Sequence, residues 1–325
     1  MLISKRLMVT AAIAAAFGTW PLAGQAADKF PSKIVRIIIP TPPGGSNDVL
    51  MRPIATKLQE IWKQPVILEY KPGANQIIGA DFAAKSAPDG HTIGIVLVSH
   101  VMNVVLRSKL PYDLLEDFAG VMLIGFQPLI ITTVTDNPYS SVGDMLAAAR
   151  KAPGSISYAT TGMGSPMHFA GESIARSAKV ELNHVPFKGG AQAVQEVMSG
   201  RVTMNISTLS TALPFMQQGR LRPLAVLEPK RIEAMPDVPA LAEVVPGLAI
   251  RSFVGLVVPK ATPRDVIQQI NEGLKTVLKS PEIRAALNRQ SMEIVASNPE
   301  VLDQLLKDEV AHWSVLVKKT GITVE

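Results

Sequence analysis

The stretch that decides the fold is residues 34–48, Ile34-Val35-Arg36-Ile37-Ile38-Ile39-Pro40-Thr41-Pro42-Pro43-Gly44-Gly45-Ser46-Asn47-Asp48. Its first six residues form a nearly continuous β-branched run, the pattern of a parallel strand buried on both faces. After the glycine turn, Leu50, Ile54, Leu58, Ile61 and Trp62 recur at helical spacing. Strand, glycine turn and helix in that order open a βαβ unit. Gly44-Gly45 lets backbone N–H groups point outward with no Cβ in the way, and Ser46 or Asn47 is placed to cap the helix. Free N–H groups at a helix start suit an anion, helped by the macrodipole; taken alone, the same turn also serves as a plain connection that holds nothing. Asp48, in the first helical turn, reads as a partner of the dipole rather than a ligand group.

The same grammar runs outward from there. Residues 65–69 read as a second strand, Gly73-Ala74 with Gly79 opens a helix over 80–87, and Pro88-Asp89-Gly90 is a turn before a third strand at 92–98. Further on, 129–134 is a strand, 141–151 a helix and 157–160 a short strand that delivers the chain to a second glycine turn, Thr161-Gly162-Met163-Gly164-Ser165. Strands at 181–186, 202–207, 224–226 and 252–258, a helix at 191–199, and closing helices at 264–278, 281–289 and 299–318 complete the pattern. Two sheet-forming halves, each with a glycine turn after a strand, predict two similar α/β lobes. Ligands of open α/β sheets sit at the carboxyl ends of strands, so the site is expected in the cleft between the lobes.

The second turn sharpens the chemistry. Pro166 suits the first helical turn, and Thr161, Ser165 and His168 join the N–H groups of Gly162 and Gly164 at one point. Two opposed anion sockets favour a small carboxylate. Phosphate is poorly supported, since neither turn ends in the Gly-Lys-Ser/Thr of a P-loop or completes a GxGxxG fingerprint. Lys188, in Lys188-Gly189-Gly190 after a strand, reaches the cleft or sits as a solvated loop lysine. For hydrolysis the only candidates are Ser165 and His168, and Gly164-Ser165-Pro166-Met167-His168 lacks the GxSxG elbow. His91, His100, His184 and His312 are scattered, without HExxH spacing or a tight cluster with carboxylates. The reading is therefore of a non-enzyme with no metal and no cofactor.

Composition agrees. The 325 residues are 47% hydrophobic and 18% charged, enough to bury one large core or two medium ones. Residues 1–26 carry Lys5 and Arg6, an apolar run from Leu7 to Phe17, and Gly24-Gln25-Ala26, which reads as a secretory signal peptide cut near Ala26. No later stretch approaches eighteen uninterrupted apolar residues. With no cysteine, there is no lipid-anchored cysteine, disulfide framework or thiolate metal site. Lys and Arg total 32 against 27 for Asp and Glu; without Lys5 and Arg6 the balance is 30 against 27, or +3. That charge, with 5% aromatic residues, excludes a nucleic-acid binder as the working reading.

From about Phe30 to Glu325 the chain resembles the periplasmic substrate-binding proteins of tripartite tricarboxylate transporters, the Bug or TctC-like family. The segments that carry the resemblance include "FPSKIVRIIIPTPPGGSNDVLMR", "QPVILEYKPGANQIIGADFAAKSAPDGHTI", "APGSISYATTGMGSPMHFAGE", "HVPFKGGAQAVQEVMSGRV" and "EVAHWSVLVKKTGITVE", in order along the chain. The resemblance implies a type II periplasmic-binding-protein fold, with residues 27–128 plus 250–325 forming a discontinuous lobe I and 129–249 forming lobe II. It implies that the turn at Pro43, Gly44, Gly45 and Ser46 and the turn from Thr161 to Ser165 grip a ligand carboxylate, with Ser99, Lys188, Gly189, Ser207 and Thr208 lining the pocket. Crossings between lobes are expected near 128–132 and 252–258. The implied partners are a small organic carboxylate and the membrane permease subunits, and the implied protein is a periplasmic monomer. A sensor component that presents the same ligand to a receptor kinase is the alternative.

Two positions depart from the family pattern. Ser207 stands where many relatives carry an aspartate, which removes a partner for an ammonium group and favours a plain or aromatic carboxylate over an amino acid. Pro53, where alanine is usual, lacks the N–H that would reach Val49 and is expected to kink the first helix.

Overall fold

The computed structural model describes residues 30–320, so the expected signal peptide lies outside the described residues. The β-branched run forms β1 (Val35–Ile39), and the glycine turn leads into α1 (Ser46–Trp62). There follow β2 (Val66–Tyr70), α2 (Ile77–Ala84), β3 (Thr92–Leu97), α3 (Val98–Leu106) and β4 (Phe118–Gln127). A second series comprises β5 (Leu129–Val134), α4 (Val142–Lys151), β6 (Ser157–Thr160), α5 (Pro166–Ala178), β7 (Asn183–Pro186), α6 (Gly190–Met198), β8 (Met204–Thr208), α7 (Leu209–Gln217) and β9 (Leu221–Val226). The chain closes with α8 (Leu241–Val244), β10 (Ser252–Pro259), α9 (Arg264–Lys279), α10 (Pro281–Asn288), β11 (Glu293–Ile294) and α11 (Pro299–Thr320).

These strands make two sheets, ordered β11-β4-β10-β3-β1-β2 and β7-β6-β8-β5-β9. Each is parallel at the βαβ units, β1 with β2 and β3, and β6 with β7 and β8. Neither is wholly parallel, because β10 runs antiparallel between β3 and β4, and β5 antiparallel between β8 and β9. The chain leaves the first sheet at Pro128, between β4 and β5, and returns through 227–251. The segment 252–258 is not itself the crossing: all of β10 lies inside the first sheet, and the passage ends just before it.

Five elements, β4, α3, α7, α8 and β11, escaped the sequence pattern. β4 is interrupted by Gly120 and Gly125, and both glycines mark close approach: a Cβ would stand 2.8 Å from the Pro299 carbonyl oxygen at one and 2.0 Å from the Glu293 carbonyl oxygen at the other. α3 starts where β3 stops, although its Val-rich sequence suits a strand; the His100 ring accepts a hydrogen bond from the Leu97 N–H (3.0 Å) and caps the turn. α7 contains Pro214 in a short helix. Pro53 is tolerated, since α1 runs unbroken from Ser46 to Trp62; nothing in the structure explains its presence.

The core ties the two sheets together. One continuous apolar cluster holds Val96, Leu123 and Phe253 from the first sheet and Ile131, Tyr158 and Ile206 from the second. Helices α3, α5 and α11 supply Met102, Phe169 and Trp313 to it, and the last two rings meet edge to face at 4.9 Å. Burial of this kind, worth roughly 1.5–3 kcal/mol for each large apolar side chain, holds the strand ends and their turns in fixed positions.

Candidate functional site

The first turn is closed by a carboxylate. Gly44 adopts φ +78°, and its N–H donates to Asp48 Oδ2 at 2.7 Å. Asp48 also accepts from the Tyr70 hydroxyl (2.7 Å) and the Arg52 guanidinium (2.7 and 2.9 Å), while remaining almost wholly buried. Burial alone would raise its pKa, but the bonds from Gly44, Tyr70 and Arg52 outweigh that and hold the carboxyl below its ordinary value. One of the two glycine N–H groups is therefore spent inside the turn, and the Gly45 N–H makes a long bond of 3.4 Å to the Pro42 carbonyl. The N-cap is Gly45 rather than Ser46 or Asn47, and it offers no side-chain cap. The first N–H groups of α1, at Ser46 and Asn47, are thus left for something outside the helix. Pro43 lies within this turn, and Asn47 is buried, with its amide donating to the Thr41 hydroxyl at 3.3 Å.

The second turn is closed by its own helix. Ser165 is the N-cap of α5: its Oγ accepts from the His168 N–H (3.1 Å) and donates to the Gly162 carbonyl (2.7 Å). The Gly164 N–H donates to His168 Nδ1 at 3.2 Å, and the Gly162 N–H to the Thr160 hydroxyl at 3.2 Å. The Thr161 hydroxyl rests on Met167 Sδ at 3.5 Å. So the Ser165 hydroxyl and the two glycine N–H groups expected to face a ligand satisfy the turn itself. The N–H groups of Thr161 and Met163 are the ones not consumed by these bonds.

Beneath this turn lies a stack that sequence spacing did not reveal. The rings of His168 and His184 lie 4.2 Å apart, and Tyr158 stacks on His184 at 4.9 Å. Tyr158 donates its hydroxyl to Glu172 at 2.7 Å, and His184 Nε2 pairs with the Thr160 hydroxyl at 2.7 Å. Burial lowers the pKa of His168, with Glu172 opposing it, and burial together with His168 lowers His184 to about 4. Both rings are therefore neutral at pH 7, consistent with His168 Nδ1 acting as an acceptor.

The remaining predicted residues are dispersed around the strand ends. Ser99 is buried in the first turn of α3. Lys188 is exposed beside Gly189, the N-cap of α6, which like that of α1 has no side-chain cap. Ser207 is completely buried; its hydroxyl accepts from the Asn205 amide (2.8 Å) and faces the Thr208 carbonyl (3.3 Å). Thr208 opens α7 and shares its hydroxyl with Thr211 and Ser210. Among the described residues, no group of three or more His, Cys, Asp or Glu is arranged to hold a metal ion, and no helix is long and apolar enough to cross a membrane.

The two turns belong to opposite sheets, and a side chain from the first lobe reaches the second turn: the Asn75 amide, in the loop between β2 and α2, donates to the Gly164 carbonyl at 3.1 Å. A family model described as the tripartite tricarboxylate transporter family receptor, TctC, matches residues 50–322. The chain belongs to this family. Protein BugT of Bordetella pertussis (strain Tohama I) is similar, 31% identical over 298 residues, or 91% of each chain. Similar solved structures are those of R. palustris Rpa4515 with adipate (29% identity, TM-score 0.85, covering 90% of this chain and 99% of that one) and the periplasmic binding protein BugD (25%, 0.85, 90% and 99%). MatC from Rhodopseudomonas palustris with bound malate is 26% identical at a TM-score of 0.83, over 89% of this chain and 100% of that one. The TctC receptor described here therefore has the two-lobed solute-binding fold of the periplasmic binding proteins.

Proposed function

We propose that this receptor is exported by residues 1–26, captures a small organic carboxylate between its lobes and delivers it to the membrane subunits of a tripartite transporter. The observation that carries this reading is the uncapped start of α1 at the carboxyl end of β1, with a second glycine turn at the carboxyl end of β6 in the other sheet. A carboxylate fits there, taking the N–H groups of Ser46 and Asn47 and the Ser46 hydroxyl on one side and the Thr161 and Met163 N–H groups on the other. Lys188 and the uncapped start of α6 add positive potential. The expected contact set at Pro43, Gly44, Gly45, Ser46, Ser99, Thr161, Gly162, Gly164, Ser165, His168, Lys188, Ser207 and Thr208 then divides. Gly44, Gly162, Gly164, Ser165 and His168 shape the sockets, while Ser46, Thr161 and Lys188 touch the ligand.

The relatives that bind adipate and malate support a dicarboxylate. Ser207, neutral and engaged within its own strand, provides no counter-charge for an ammonium group, which favours such acids over amino acids. What argues against hydrolysis is that the Ser165 proton is committed to the Gly162 carbonyl and His168 Nδ1 to the Gly164 N–H, so no base faces the hydroxyl. The test is calorimetry and thermal shift of residues 27–325 with adipate, malate, aspartate and benzoate. Stabilisation of about 2.7 kcal/mol at one hundred times the Kd is expected for at least one of the dicarboxylates. No shift with any acid sinks the reading.

A further inference from the structure

The chain between β2 and α2 is strained in an unusual way. Ala74 (φ +47°), Asn75 (φ +48°) and Gln76 (φ +73°) are three consecutive non-glycine residues in the left-handed region, directly after Gly73 at φ +128°. Asparagine tolerates that region; alanine and glutamine enter it at an energetic cost, and a run of three persists only where the surroundings over-determine it. What the strain achieves is the placement of one amide. Asn75 Nδ2 donates to Asn103 Oδ1 at 2.9 Å and to the Gly164 carbonyl at 3.1 Å, while Asn103 Nδ2 returns a bond to the Asn75 carbonyl at 2.9 Å. The orientation of both amides follows from the network. The two backbone carbonyls can only accept, so each must face an NH2 group.

Asn103 is buried on α3 in the first lobe, whereas Gly164 belongs to the second. Gly164 is thus held from both sides, its N–H by His168 of its own helix and its carbonyl by Asn75 from across the cleft. We propose that Asn75 is a polar latch between the lobes, acting beside the shared apolar cluster, and the positioning residue for the second turn, with release of the Gly164 carbonyl as the step that lets the second turn part from the first lobe. Its role in ligand retention rests on the carboxylate reading above; its role in closure does not. Holding Gly164 fixes the neighbouring Met163 N–H, so the latch sets both how far the lobes part and how the turn presents its donors.

The absence of cysteine makes a clean test possible. Spin labels at Thr56→Cys on α1 and Gln195→Cys on α6, both exposed, report the distance between lobes in the unliganded protein by pulsed electron resonance. The expected result is a short-distance population, matching the described structure, that falls about fivefold in Asn75→Ala and in Asn103→Ala. Asn75→Gly keeps the left-handed backbone without the amide and gives the same loss should the alanine variant fold poorly. With adipate as probe, dissociation from Asn75→Gly is about fivefold faster while association changes little. An unchanged distance distribution in Asn75→Gly, or a wild-type protein with no short-distance population, overturns the latch. If no carboxylate binds the wild type but the distances respond as expected, the carboxylate reading fails and the latch stands.

Discussion

The two glycine turns look interchangeable in sequence and are built on different principles. Pro43–Ser46 is braced from the side by a carboxylate: Asp48 gathers the Gly44 N–H, the Tyr70 hydroxyl and Arg52. Its helix start stays open. Thr161–Ser165 is braced from beneath by a hydroxyl and an imidazole, and its helix start is capped. The first turn therefore keeps donors available to an anion, and the second trades most of its donors for rigidity. The lesson is that glycine content reports only that N–H groups are accessible; whether they are free depends on the next polar side chain along the helix.

The largest effect is expected at Asp48. Asp48→Ala leaves the Tyr70 hydroxyl and Gly44 N–H without their partner and is expected to cost about 4 kcal/mol in denaturant unfolding. Because the folded pKa of Asp48 lies below its unfolded value of 3.8, its contribution is present above that pH and disappears as pH falls through the folded value. An Asp48→Asn variant should flatten that acid limb, and an unaltered limb would refute the bracing role.

His184 gives the second turn its own pH signature, in a different window. Its folded pKa of about 4 is depressed from 6.5, so the unfolded state takes up protons first and stability is lost as pH falls from about 6.5 toward 4. The expected loss is on the order of 2 kcal/mol, and His184→Gln should remove it from urea titrations at pH 6.5 and 4.5. Alanine at the glycines sharpens the contrast further. Gly162 at φ +122° sits where side chains are excluded, so Gly162→Ala should cost about 2 kcal/mol, against about 1 kcal/mol for Gly44→Ala at φ +78° with open space around its Cβ. Equal costs would mean that the backbones of the two turns are equally strained. Smallest is the loss of the cap: Ser165→Ala should lower stability by about 1 kcal/mol, read from the unfolding midpoint. A neutral substitution there would remove the capped turn from the comparison.

Much of this architecture is readable in the chain itself, for identifiable reasons. The β-branched runs at 34–39 and 129–134 and the strongly amphipathic α9 announce themselves because each is buried on a regular face. β4 is obscured because its glycines serve packing partners far along the chain, Gly125 against Glu293 and Gly120 against Pro299. α3 is obscured because a buried histidine cap overrides β-branched propensity. Both turns can be found from glycine spacing, but their donor inventory only in part: Asp48 and His168 act on glycines of their own turns, whereas Tyr70 and His184 reach the braces from other strands. The left-handed run at 74–76 has even less local signature, because alanine and glutamine give no warning of positive φ.

The position of β10 has a consequence for how the molecule is assembled. This strand sits in the middle of the first sheet, between β3 and β4, although it is made more than a hundred residues after them. The second sheet draws only on 129–226 and is complete as soon as that span is available. Assembly is therefore ordered: the lobe begun first is finished last, and until residues 252–259 arrive, β3 and β4 have no strand to join them. The long loop closure that this requires is entropically slow, which keeps the first lobe unfinished until the C-terminal quarter of the chain has emerged.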